Sequence, residues 1–188
     1  GVGYDNVDLD YIKKKNISLL ITATANAVAV AEHVLSMFMS LSKSLSIYDL
    51  EVRKGNFKKN AKHIKTFELY NKIILIAGFG RIGKKLITRC LAFNCKVYVY
   101  DPYVKEKVIE DLGGIKVKTI NEGLKIADYV SLHMPLTSDT RNLINFSTFK
   151  TMKKNAIIIN TARGGIINEL DLDKALNENL IFGAGLDV

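Results

Sequence analysis

Cysteine and proline are scarce in this chain of 188 residues: Cys90 and Cys95, Pro102 and Pro135, and no others. Two thiols five positions apart, with no further Cys or His at ligand spacing, exclude a disulfide framework and a zinc site. Both read as reduced thiols in or near a core, and no metal centre is expected. No apolar run approaches the roughly 20 residues that a membrane span needs. The first residues lack the basic start and apolar stretch of a signal peptide. The expectation is a soluble, cytoplasmic protein with no membrane partner. Internal repeats and low-complexity tracts are also missing, so the organisation has to be read from periodicity.

What is present is enough apolar residue, 48%, to bury a real core in one domain with part of a second. A net charge of +8 raises the question of nucleic acid. The basic residues are scattered, however, through Lys13 to Lys15, Lys58, Lys59, Lys84, Lys85, Lys153 and Lys154, without a groove-reading motif or an aromatic-interleaved stripe. Solvated helix faces account for them, and no nucleic-acid partner is expected.

Apolar runs of strand length recur at residues 73–77, 97–100, 129–132, 156–159 and 184–188. They are near-continuous rather than alternating, as in strands buried on both faces. Helix-like stretches lie between them at 81–93, 104–112, 122–127, 147–152 and 169–177. This alternation predicts an α/β, Rossmann-type doubly wound parallel sheet with helices on both faces and its ligand chemistry along one edge. Residues 1–24 read differently, as a glycine-rich turn, a short helix near 9–14 and a strand near 17–21. A long helix follows from Asn26 to about Leu45, apolar on most of its circumference, with Asn26 as its N-cap. Residues 49–71 are polar and lysine-rich and read as a surface connection with one helical turn.

The sharpest local signal is Gly78-Phe79-Gly80-Arg81-Ile82-Gly83, directly after one strand and opening the next helix. Alone the pattern is weak, but this context is the one a dinucleotide fingerprint requires. Gly78 makes the tight turn, Gly80 admits a pyrophosphate to the backbone, and Gly83 lets helix and strand pack closely. The helix end, with Arg81 and Ile82, supplies unpaired N–H donors and a positive dipole. Asp101 ends the second strand, 18 residues beyond Gly83, where a carboxylate would accept from the ribose hydroxyls. It would repel a 2′-phosphate and no Arg follows closely to offset that, so NAD is favoured over NADP. Two further strand ends reach the same edge: Ser131-Leu132-His133-Met134-Pro135-Leu136-Thr137 and Asn160-Thr161-Ala162-Arg163-Gly164-Gly165. The planar guanidinium of Arg163 suits bidentate binding of a carboxylate.

Together these motifs resemble the D-isomer-specific 2-hydroxyacid dehydrogenases, a family that includes the D-3-phosphoglycerate dehydrogenases. The resemblance also runs through Gly1-Val2-Gly3-Tyr4-Asp5-Asn6-Val7-Asp8, Ala31-Glu32-His33, Tyr100-Asp101-Pro102, Thr140-Arg141-Asn142-Leu143-Ile144 and Gly183-Ala184-Gly185-Leu186-Asp187-Val188. It implies that residues 1–24 are a remnant of a substrate domain and 25–188 an NAD-binding domain, incomplete at its C-terminal end. It implies a homodimer formed through that domain. By the same resemblance, Arg163 holds the substrate's carboxylate and carbonyl oxygen, and Val2 and Gly3 receive the carboxylate on their backbone. His133, Met134, Pro135, Thr161, Ala162, Arg163 and Asp187 make further cofactor contacts, Asp187 near the nicotinamide carboxamide.

The family's reaction passes hydride between the C2 atom of a small D-2-hydroxy or 2-keto acid, 3-phosphoglycerate among them, and nicotinamide, with a histidine–glutamate pair moving the proton. The resemblance assigns that pair to segments after the Asp-Val with which this sequence stops. His33, His63 and His133 match other places, so the chain alone is expected to be inactive. Some relatives use the scaffold as NAD-sensing corepressors, which is the alternative reading. Departures are modest: no Pro-Gly precedes the long helix, Asn155 stands for a common Gly, and Asn168 for a common Asp, where it can still cap a helix.

Overall fold

The computed structural model describes residues 3, 4, 6–22, 24–57 and 64–188. Val2 and His63 lie outside them. Six strands, β1 (Ile73–Ala77), β2 (Lys96–Tyr100), β3 (Ile115–Lys116), β4 (Tyr129–Leu132), β5 (Ile157–Asn160) and β6 (Gly183–Leu186), form one sheet. Their order is β3-β2-β1-β4-β5-β6, and every pairing is parallel. Parallel strands need crossovers, and the helices α4 (Arg81–Ala92), α5 (Glu106–Glu110), α6 (Ile120–Ile126), α7 (Phe146–Phe149) and α8 (Glu169–Asn177) supply them. The predicted doubly wound α/β sheet is therefore what forms.

The strands read as continuous apolar runs because each feeds two cores. Leu75, Ala77, Val130, Leu132 and Ile158 point to one face, where Leu124 of α6, Phe149 of α7 and Leu172 of α8 cover them. Ile74, Ile76, Val97, Val99, Ile157 and Ile159 point to the other, beneath α2 (Ala27–Ser42), α4 and Ile109 of α5. The stripe of α2 that packs here is Ala31, Val34 and Phe38, with a helical period. Its last residue, Ser42, is buried yet satisfied, since its hydroxyl shares a 2.8 Å hydrogen bond with that of Tyr129 on β4. Glu32 meets Arg89 of α4 at 2.7 Å, clipping the two helices together. Both cysteines are buried and free, as expected, and burial pushes the Cys95 thiol up to about 11.

Several expectations need correction. Residues 17–21 form no strand; they run exposed and pair with none of the six strands, Leu20 being 92% accessible. Asn26 is not a side-chain cap: its backbone is already near-helical, at φ −101° and ψ 0°, and the side chain makes no capping bond. The long helix stops at Ser42, because Ser44 adopts a left-handed φ of +50°. A separate helix, α3 (Leu45–Arg53), then occupies the start of the segment read as a surface connection. The two-residue β3 was missed, and the last strand begins at Gly183 and ends at Leu186. The remaining short helix, α1 (Leu9–Lys14), lies where expected, and Asn168 does cap α8, accepting from the Asp171 N–H at 3.1 Å. No described residue before Ala27 is buried. Among the described residues, no helix is long and apolar enough to cross a membrane.

Candidate functional site

The strand order reverses between β1 and β4, and in such sheets a crevice opens beyond the strand ends at that point. Gly78 continues β1 and His133 continues β4; Gly78 N donates to Tyr100 O of β2 at 2.8 Å, and His133 N donates to Ala77 O at 2.7 Å, which ties the end of β4 to that of β1. Gly78 sits at φ +99°, and a Cβ there would lie 2.7 Å from the carbonyl carbon and oxygen of His133. A Cβ on Gly83 would lie 2.5 Å from the Gly78 oxygen and 3.2 Å from Ile76 Cγ2. Each glycine therefore does the packing job inferred from its position. Gly80 is different, because a Cβ there would meet nothing within 4 Å. Its open side belongs to a cleft of about 650 Å³, onto which the uncapped first turn of α4 also faces through Arg81 and Ile82.

The far wall comes from the other strand ends. His133, Met134 and Pro135 line the cleft after β4, and Thr161, Ala162 and Arg163 line it after β5. The buried Asn160 shapes this second turn: its Oδ1 accepts from Ala162 N at 3.0 Å and its Nδ2 donates to Arg163 O at 2.8 Å. Sequence reading treated Asn160 only as part of a motif, and its brace is visible only in three dimensions. The Arg163 guanidinium donates to the Ala162 carbonyl at 2.6 Å. Gly3 closes the rim from the N-terminal segment, joined by Asn26, Ala27 and Val30 at the start of α2. These three were missed as site residues; their spacing along one helix face was the available signal.

Four expected site residues stand back from the cleft lining. Gly78 and Gly83 lie beneath it. Asp101 does not border it; its Oδ2 accepts from Phe79 N at 2.8 Å, and its Oδ1 from Tyr103 N at 2.9 Å and Val104 N at 3.1 Å. That carboxylate thus pins the glycine loop to the end of β2. Asp187 is also outside the lining: its N–H donates to Asn160 O at 3.0 Å, and its side chain faces His33.

His133 carries the site's perturbed titration. Its Nε2 lies 2.7 Å from Ser131 Oγ, whereas its buried Nδ1, like the buried Thr161 Oγ1, has no hydrogen-bond partner among the described residues. Burial lowers its pKa from 6.5 to about 4, so it is neutral near pH 7. An unfolded histidine takes a proton at higher pH than this one, so the unfolded state binds more protons between the two values. Stability is then full above about pH 6.5 and falls by about 3 kcal/mol as the pH drops to about 4. Urea unfolding at pH 7.5 and 4.5 checks this: His133→Asn should lose visibly less stability on acidification than the parent. Equal losses would mean that His133 is not held neutral.

With this geometry in hand, relatives are informative. Residues 35–188 match the family described as D-isomer specific 2-hydroxyacid dehydrogenase, NAD binding domain. The whole chain is 38% identical to D-3-phosphoglycerate dehydrogenase of Methanocaldococcus jannaschii, covering 36% of that protein. It is 35% identical to hydroxypyruvate reductase of Thermotoga maritima, covering 60% of it. Among solved structures, D-lactate dehydrogenase from Aquifex aeolicus, complexed with NAD and lactic acid, superposes over the whole chain with a TM-score of 0.89 at 35% identity. The chain covers 56% of that protein.

Proposed function

Because the chain belongs to the NAD-binding domain of the D-isomer specific 2-hydroxyacid dehydrogenases, we propose that it is the cofactor-holding part of an enzyme that passes hydride between NAD(H) and a small D-2-hydroxy or 2-keto acid. What carries the reading is that the open side of Gly80, the uncapped start of α4 and Arg163 all face one cleft. The residues present fit the dinucleotide. The cradle at Gly80 is one a side chain would fill, and two buried polar atoms, His133 Nδ1 and Thr161 Oγ1, stand unpartnered among the described residues of the cleft wall.

In this reading the first-turn N–H groups of Arg81 and Ile82 take the pyrophosphate. Asp101 reaches the ribose hydroxyls with the lone pairs its three backbone bonds leave over. His133, Met134, Pro135, Thr161 and Ala162 form the wall along the cofactor, and Asp187 accepts from the carboxamide. When bound, the nicotinamide supplies or takes the hydride at substrate C2. Arg163 binds the substrate carboxylate and carbonyl oxygen, while Val2 and Gly3 receive the carboxylate on their backbone. Asn160 holds the turn that presents Arg163, so orientation is set before substrate arrives.

That none of the described residues among 1–24 is buried suits their belonging to a separate substrate domain. Helix α3 buries none of its residues and exposes Leu45, Ile47, Leu50 and Val52. A second copy of the chain covering that face gives the homodimer we propose. The free buried cysteines suit a reducing, cytoplasmic setting.

Arg163→Ala tests the dehydrogenase reading. In the enzyme that contains this chain, the variant should lose about 100-fold in kcat/KM for 2-keto acids, the scale of a lost charge-assisted contact, with a much smaller change in NADH affinity. Unchanged kcat/KM would remove Arg163 from the substrate site.

A further inference from the structure

We propose that His33, on α2, is a positioning residue that orients the Asp187 carboxylate for the nicotinamide end of the cofactor. The inference rests on the reading of Asp187 given above. Helix α2 crosses β6 at close range: a Cβ on Gly185 would come 2.5 Å from Ile159 Cδ1 of β5, 3.0 Å from Met37 Cε and 3.6 Å from Leu41 Cδ1, so the glycine leaves room for the neighbouring strand and the helix together. His33 lies one helical turn before Met37, about 6 Å along the axis. Asp187 lies two residues beyond Gly185, nearly the same distance along the strand. The two side chains therefore meet at the sheet edge from which the cleft opens, with His33 Nε2 3.5 Å from Asp187 Oδ1.

The backbone of Asp187 is already fixed there by its bond to Asn160 O, immediately before the Thr161 to Arg163 turn. What the backbone leaves undetermined is which way the half-exposed carboxylate turns. The imidazole lies against Oδ1, which leaves Oδ2 to accept an amide N–H from a ligand. The neighbouring Glu32 does not compete, because it is committed to Arg89 on α4 at 2.7 Å. A pair this exposed contributes little to folding, so its effect should appear in binding rather than in stability.

Calorimetric titration of the chain, of His33→Ala and of Asp187→Ala with NADH and with ADP-ribose, which lacks the nicotinamide, tests this. Each variant should weaken NADH binding about fivefold, the scale of one hydrogen bond, and leave ADP-ribose binding and the melting temperature unchanged. The double variant should be no weaker than Asp187→Ala alone, as expected of two residues acting through one contact. Loss of NADH affinity in Asp187→Ala but not in His33→Ala overturns the assignment of His33 and leaves the cofactor reading standing. Equal weakening of both ligands by His33→Ala also overturns it, since the effect is then a general one on the fold. If neither variant affects NADH, or the parent chain binds neither ligand, the role of Asp187 falls and the inference with it.

Discussion

Gly78→Ala should melt about 10 °C below the parent chain, a loss of about 4 kcal/mol at the usual slope for a domain of this size. Two independent costs add. The backbone at φ +99° is one that a side chain makes strained, at about 1–3 kcal/mol. The added methyl group would also sit 2.7 Å from the His133 carbonyl, an overpacking cost of about 1–3 kcal/mol. Neither neighbour can yield easily. Gly78 follows β1, which is paired on both sides, and His133 N is tied to Ala77 O. Total stability in domains of this kind is about 5–15 kcal/mol, so one methyl group would consume a large part of it. Thermal unfolding followed by circular dichroism decides the matter. A shift under about 2 °C would show that the loop relaxes around the methyl group and that the steric account fails.

Gly80→Val, two residues away, should do the opposite: fold and melt like the parent but bind NADH at least about 100-fold more weakly. Among the described residues, no atom other than those of its two chain neighbours lies within 4 Å of the position its Cβ would take, so the fold offers no resistance. The bulk instead occupies the approach to the first-turn N–H groups of α4, where the proposed pyrophosphate must come within hydrogen-bond distance. Calorimetry on the parent should show saturable binding that prefers NADH to NADPH, because Asp101 in its proposed place at the ribose would repel a 2′-phosphate. A folded Gly80→Val chain with undiminished NADH affinity would move the cofactor away from this loop. The pair of variants also separates the two uses of glycine in one motif, since one supports the fold and the other leaves room for a ligand.

That contrast indicates what a sequence can disclose. β1, β2, β4 and β5 were legible because strands buried on both faces leave uninterrupted apolar runs, and the glycine loop because its spacing is dictated by a turn and a helix start. β3 was not, since two residues, Ile115 and Lys116, carry no periodicity. α3 was hidden for another reason: its apolar residues face solvent in this chain, so no internal packing marks them as helical. The strand expected at residues 17–21 had suitable residues but pairs with no strand of the sheet. Most of the cleft lining was foreseen from motifs. The Asn160 brace and the His33–Asp187 contact were not, because they depend on how turns and helices meet, and His33 is separated from Asp187 by nearly the whole chain.

The triple acceptor role of Asp101 has a consequence for redesign of cofactor choice. Converting a site that prefers NAD to one that takes NADP begins, on electrostatic grounds, with removal of this carboxylate. Here that change would remove the acceptor of the Phe79, Tyr103 and Val104 N–H groups together and leave the Gly78 N–Tyr100 O bond to tie the glycine loop to the end of β2. In the proposed site, specificity and loop architecture would be carried by the same two oxygen atoms. A switch in preference therefore has to be built as a coordinated set of changes, with a neutral acceptor such as Asn or Ser at position 101 and cations supplied by neighbouring residues.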